Sequence, residues 1–87
     1  MVKNNRDIEI LKKLGTRLKQ VRELKSISQE ELALKLGTTQ KQIWKIEQGI
    51  SDPTYCRLNA MATIFEMSIS ELLQIPENTG IKIEEQL

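Results

Sequence analysis

The stretch "SQEELALKLGTTQKQIWKIEQG", residues 28–49, holds two helix starts and two helix stops. Ser28 with Glu31 three residues on has the form of a capping box. In that motif the hydroxyl accepts a backbone N–H of the first turn while the carboxylate reaches back to the cap. Leu32, Ala33 and Leu36 then share one helix face, and Gly37 tolerates the left-handed conformation that ends a helix. Thr39 with Gln42 repeats the box, Ile43 and Ile46 form a buried pair, and Gly49 closes the second helix. About three residues, 37–39, separate the two.

Outward from this pair the chain stays helical. Leu11, Leu14, Leu18 and Val21 recur at helical spacing, so a first amphipathic helix is expected over about residues 7–25. After residue 49, Gly-Ile-Ser-Asp-Pro is turn chemistry, and Thr54 caps a fourth helix that points Leu58, Met61, Ala62 and Phe65 inward. Ser68 with Glu71 is a third capping box, opening a short last helix with Ile69, Leu72 and Leu73. Pro76, Asn78 and Gly80 end ordered helix, and residues 76–87 read as a flexible tail. The expected fold class is all-α, a compact five-helix domain over residues 1–75.

Composition narrows the function. The 87 residues suit one small domain. There is no N-terminal apolar run for a signal peptide and no stretch of membrane-spanning length. A single cysteine, Cys56, precludes an internal disulfide and suits a reducing cytoplasm. With no histidine and one cysteine, a zinc site would rest almost wholly on carboxylates, and acid–base or nucleophilic chemistry lacks its commonest partner. No catalytic residue, metal or cofactor is expected. The net charge of +1 conceals an asymmetry: residues 12–57 carry ten Lys or Arg against five acids, and residues 58–87 one Lys against five. A basic half implies a partner with negative charge on that side only.

A short glycine-containing connection sets two helices at a steep angle and leaves the second protruding. That is helix-turn-helix geometry over about residues 28–49, in which the second helix enters the major groove of DNA. Setting Ile43 at zero on a helical wheel and advancing about 100° per residue keeps Ile46 and Glu47 on the inner side. Lys41 and Lys45 fall almost opposite, Trp44 and Gln42 lie on the two flanks, and Gln40 sits at the N-terminal end. The outward face therefore carries amide and ammonium groups, the groups that pair with adenine and guanine edges.

Residues 14–73 resemble the Cro and phage-repressor helix-turn-helix family, the xenobiotic-response-element class of bacterial regulators. The resemblance is carried by "SQEELALKLG", "TTQKQIWKIEQG", the "DPT" before the fourth helix and "SISELL". It implies a domain that binds double-stranded DNA as a homodimer on a near-palindromic site, and so a sequence-specific transcriptional regulator, expected to be a repressor. Its dimer surface would lie around Leu73 and Ile75. The alternative on the same fold is an antitoxin, with the acidic stretch 66–87 holding a toxin partner while the domain represses its own operon.

The resemblance also distributes roles. Gln29 would contact a phosphate and brace Gln40; Gln40, Lys41 and Lys45 would meet base edges or nearby phosphates. Gln42 either joins them or folds back onto its cap, Thr39. Thr54 caps its helix and brings that helix end toward phosphate, while Tyr55 and Arg57 are open between phosphate contact and surface. Arg22 and Glu47 would form a structural ion pair. Arg17, Lys19 and Lys25 read as a solvated face, and Cys56 as a small packing residue. Trp44 departs from the family, where a small or polar residue is usual. Its ring either covers a gap at the loop of residues 50–53 or touches a thymine methyl or sugar.

Overall fold

The computed structural model describes residues 4–75, so expectations about the tail at 76–87 fall outside the described residues. Among the described residues five helices follow in order: α1 (Asn5–Leu24), α2 (Gln29–Leu36), α3 (Gln40–Glu47), α4 (Tyr55–Ile64) and α5 (Ile69–Leu72). The fold is all-α. α1 begins two residues before the hydrophobic pattern suggests, because the Asn4 side chain caps it by accepting the Asp7 N–H at 2.8 Å.

The five helix starts share one device: a side-chain oxygen at the N-cap accepts a first-turn N–H. Among the described residues only Ser68 and Glu71 close the full capping box. The two bonds from Ser68, backbone N–H and hydroxyl, hold the Glu71 carboxyl below its ordinary range. Ser28 and Thr39 cap from their own side only, which corrects the reading of three reciprocal boxes. Gln42 is drawn elsewhere, its side-chain amide donating to Ser51 Oγ at 2.9 Å.

The helix ends are equally uniform. In α1, α2, α3 and α4 a left-handed residue lets the following N–H reach back to a carbonyl five residues earlier: Ile27 to Arg22, Thr38 to Ala33, Ile50 to Lys45, Met67 to Ala62. Gly37 and Gly49 fill that position in two helices, but Ser26 and Glu66, both at φ 59°, fill it in the others. An L-residue with a Cβ costs about 1–2 kcal/mol in this region. Glu66→Gly is therefore expected to raise stability by about 0.5–1 kcal/mol, after the added freedom of the unfolded chain is subtracted. Chemical denaturation of the two proteins checks it.

Leu18, Val21, Leu32, Ala33, Ile43, Ile46, Leu58, Met61, Ala62, Phe65 and Leu72 form one core drawing on all five helices. α3 packs against α1 and α2, α4 against α2 and α5, and α5 returns to α1. α3 thus has two helices behind it and its other side free. α1 and α3 approach tightly at Gly15, where a methyl group would lie 2.5 Å from the carbonyl oxygen of Ile46 and against that of Glu47. Two arginines serve as ties: Arg17, expected on a solvated face, and Arg57, left open between phosphate contact and surface. Arg17 donates to the carbonyls of Leu72 (3.0 Å) and Glu71 (2.8 Å), and Arg57 to that of Leu36 (3.3 Å), each at a helix C-terminus where a cation is favoured.

Candidate nucleic-acid interface

The three residues 37–39 turn the chain from α2 into α3, so that Ile43, Ile46 and Glu47 enter the interior and the remaining positions face out. Glu47 is 4% exposed and Arg22 7%. A carboxylate in such a place needs full compensation, and it has it. Arg22 Nε donates to Glu47 Oε2 at 2.6 Å and Arg22 Nη2 to Oε1 at 3.1 Å, a two-pronged pair. The third prong, Arg22 Nη1, donates to the Ile27 carbonyl at 2.8 Å and ties down the α1–α2 turn. The hydrogen bond to Glu47 holds the Arg22 pKa above its ordinary value, so the guanidinium stays charged.

From this pair a chain of amides leads to the surface. Gln29 Nε2 donates to Glu47 Oε1 at 2.9 Å, and Gln40 Nε2 donates to Gln29 Oε1 at 3.3 Å. The direction of the chain is dictated at its buried end. A carboxylate only accepts, so Gln29 must present its NH2 to Glu47 and its carbonyl to Gln40, which fixes the Gln40 amide in turn. Gln40 is left with a free carbonyl oxygen and one free N–H at the exposed start of α3. One acceptor beside one donor complements the N6–H and N7 of adenine; guanine offers two acceptors.

Beyond Gln40 the outer side carries Lys41 and Trp44, both exposed, and Lys45, half-buried. Neither lysine forms an ion pair among the described residues. Trp44 is 44% exposed on the same surface. Gln42 lies on the opposite flank, held to Ser51, while Thr39 and Thr54 are exposed caps whose side chains accept the N–H groups of Gln42 (3.1 Å) and Arg57 (3.1 Å). Of the residues singled out in sequence, Arg22, Gln29, Gln40 and Glu47 form one bonded network, Lys41, Trp44 and Lys45 share the open face, and Thr54 stands apart on α4. Gln48, the exposed C-cap of α3 one turn beyond Trp44, escaped the reading; carrying the wheel one residue further places it on the outer side as well.

A protruding capped helix with a braced glutamine and free lysines defines a helix-turn-helix regulator. A family model described as "Helix-turn-helix domain" matches residues 15–81, and the chain belongs to that family, in its Cro and phage-repressor branch. The match extends past the described residues into the segment read as a tail. Among curated protein sequences nothing matches. Among solved structures the chain is similar to the restriction-modification controller protein C.AhdI from Aeromonas hydrophila, at 30% identity and TM-score 0.69, covering 72% of this chain and 96% of that one. It is similar to SinR, a master regulator for biofilm formation, in complex with DNA, at 31% identity and TM-score 0.63, covering 69% and 97%. SinR also appears in a complex with SinI, at 31% identity and TM-score 0.64, covering 70% and 60%.

No helix among the described residues is long and apolar enough to cross a membrane, and no group of three metal-ligating side chains occurs among them.

Proposed function

We propose that the protein is a sequence-specific regulator of transcription that inserts α3 into the major groove of double-stranded DNA and acts as a repressor. The observation that carries this reading is the Arg22–Glu47–Gln29–Gln40 network, which orients an exposed amide at the tip of a helix whose outer face holds two lysines with no ion pair among the described residues. A helix serving only to fill the core has no need of a side chain fixed in direction at its exposed end. The similarity to SinR in its DNA complex supports the same reading. In it Gln40 meets an adenine, Lys41 and Lys45 meet guanine edges or adjacent phosphates, and Gln29 and Thr54 lie toward the phosphate backbone. Gln42 and Thr39 shape the start of α3, and Trp44 offers an apolar edge to a thymine methyl or a sugar.

The working form is a homodimer whose two α3 helices enter successive major grooves about 34 Å apart. Leu73 and Ile75, half-buried in the single chain, lie where the partner copy would join. A protein partner is the second reading, supported by the similarity to SinR in its complex with SinI. A toxin in that role would bind the acidic stretch 66–87, most of which lies outside the described residues, and a short reading frame beside this gene would favour it.

The variants Lys41→Ala and Lys45→Ala test the proposal. Each is expected to weaken binding of a selected duplex about 10-fold or more, with a lysine that reads a base also relaxing preference at one position by about 1–3 kcal/mol. Fluorescence anisotropy on matched and substituted duplexes measures both. Unchanged affinity in the double variant refutes the placement of α3.

A further inference from the structure

The lysines of α1 do not share one environment. Lys12, Thr16, Lys19, Gln20 and Glu23 occupy a single side of α1, and with Glu47 and Gln48 of α3 they line a groove of about 350 Å³ between the two helices. The stem of Lys12 is pressed against the turn after α3: a Cβ on Gly49 would lie 2.8 Å from Lys12 Cα and 2.8 Å from its Cγ. Lys13, the next residue along α1, does not line this groove; it lines a neighbouring one with Arg17 and Ile75, which Lys12, Thr16 and Gln20 border as well. Arg17 is itself committed to the carbonyls of α5.

From this we infer that Lys12 and Lys19 form a phosphate-binding shoulder continuous with the reading face of α3, and that they hold the DNA backbone on the Trp44–Gln48 side. The inference rests on the placement of α3 in the major groove given above. A recognition helix seated in that groove has a sugar–phosphate wall along each flank. Gln42 and Ser51 are bonded to each other on one flank. On the other, Gln48, one turn beyond Trp44, lines the α1 groove, whose charged groups are Lys12, Lys19, Glu23 and Glu47. Glu47 is neutralised by Arg22, so two ammonium groups face one carboxylate, none of them in an ion pair among the described residues. Trp44 then fills the angle between base edges and this wall, its ring against sugar.

Phosphate contacts release counterions, so each contributes about 0.9 to the slope of log K against log salt and carries no base preference. The test compares wild type, Lys12→Gln, Lys19→Gln, their double variant and Lys13→Gln on one selected duplex and one scrambled duplex across a salt series. The double variant is expected to lose about 1.8 from the slope, and roughly 5-fold in affinity per lysine near physiological salt, equally on both duplexes. Lys13→Gln is expected to change neither beyond its general charge effect, and thermal melting shows whether the folds are equal. A slope change no larger than that of Lys13→Gln overturns the inference, as does a loss confined to the selected duplex. If instead the wild type binds neither duplex, it is the placement of α3 in DNA that has failed, and the shoulder with it.

Discussion

Glu47→Ala is expected to remove a large share of the stability of the domain. The substitution leaves the Arg22 guanidinium 7% exposed with no counter-charge, and also removes the acceptor that orients Gln29. Breaking a buried pair by deleting one partner costs about 3–5 kcal/mol. A domain of this size has in total only about 0.05–0.15 kcal/mol per residue. Raising the pH should not relieve the loss, since a guanidinium does not deprotonate in a protein. Glu47→Gln keeps the shape and one carbonyl acceptor, so it should lie between wild type and alanine. Urea unfolding of the three proteins orders them; a cost below about 1 kcal/mol for alanine would mean that water reaches Arg22 easily and that the network does not brace α3.

The second large effect is at Gly15, and its sign is informative. By helix propensity alone, Gly15→Ala in the middle of α1 should stabilise by about 1 kcal/mol. The structure requires the opposite. The new methyl would meet the carbonyl oxygens of Ile46 and Glu47, which are backbone atoms and cannot rotate aside, so α1 and α3 must move apart. Overpacking of this kind costs about 1–3 kcal/mol. A lower melting temperature together with weaker duplex binding is expected, because the displaced element is α3 itself. A rise in melting temperature would show that the helices are not in contact there.

These two sites mark the boundary of what sequence discloses. The starts of α2 to α5 were legible because a cap is a local event, a hydroxyl three residues from the N–H it accepts, whereas the Asn4 cap of α1 was not read. The separation of α2 and α3 was legible for the same reason, since Gly37 and Thr39 punctuate it within three residues. Arg17 reaches carbonyls 54 and 55 residues away, and no local pattern distinguishes it from the exposed Lys19 two positions on. Gly15 is alike in this: its neighbours are α3 carbonyls supplied only by the assembled fold. Ser26 and Glu66 end their helices in the left-handed region without the glycine that would announce it, so no local signal marks those ends. On α3 the inner and outer faces followed from the 3.6-residue period, whereas the partner of Gln42 depended on where the next loop came to rest.

That α3 reads DNA is tested most directly by selecting randomised duplex with the full chain at low salt and sequencing what is retained. The expected product is a near-palindromic site with half-sites about 34 Å apart, one helical turn between centres. Each half-site should contain an adenine whose preference is lost in Gln40→Ala. Retention of duplex with no enriched sequence, or no retention at all, would contradict the account.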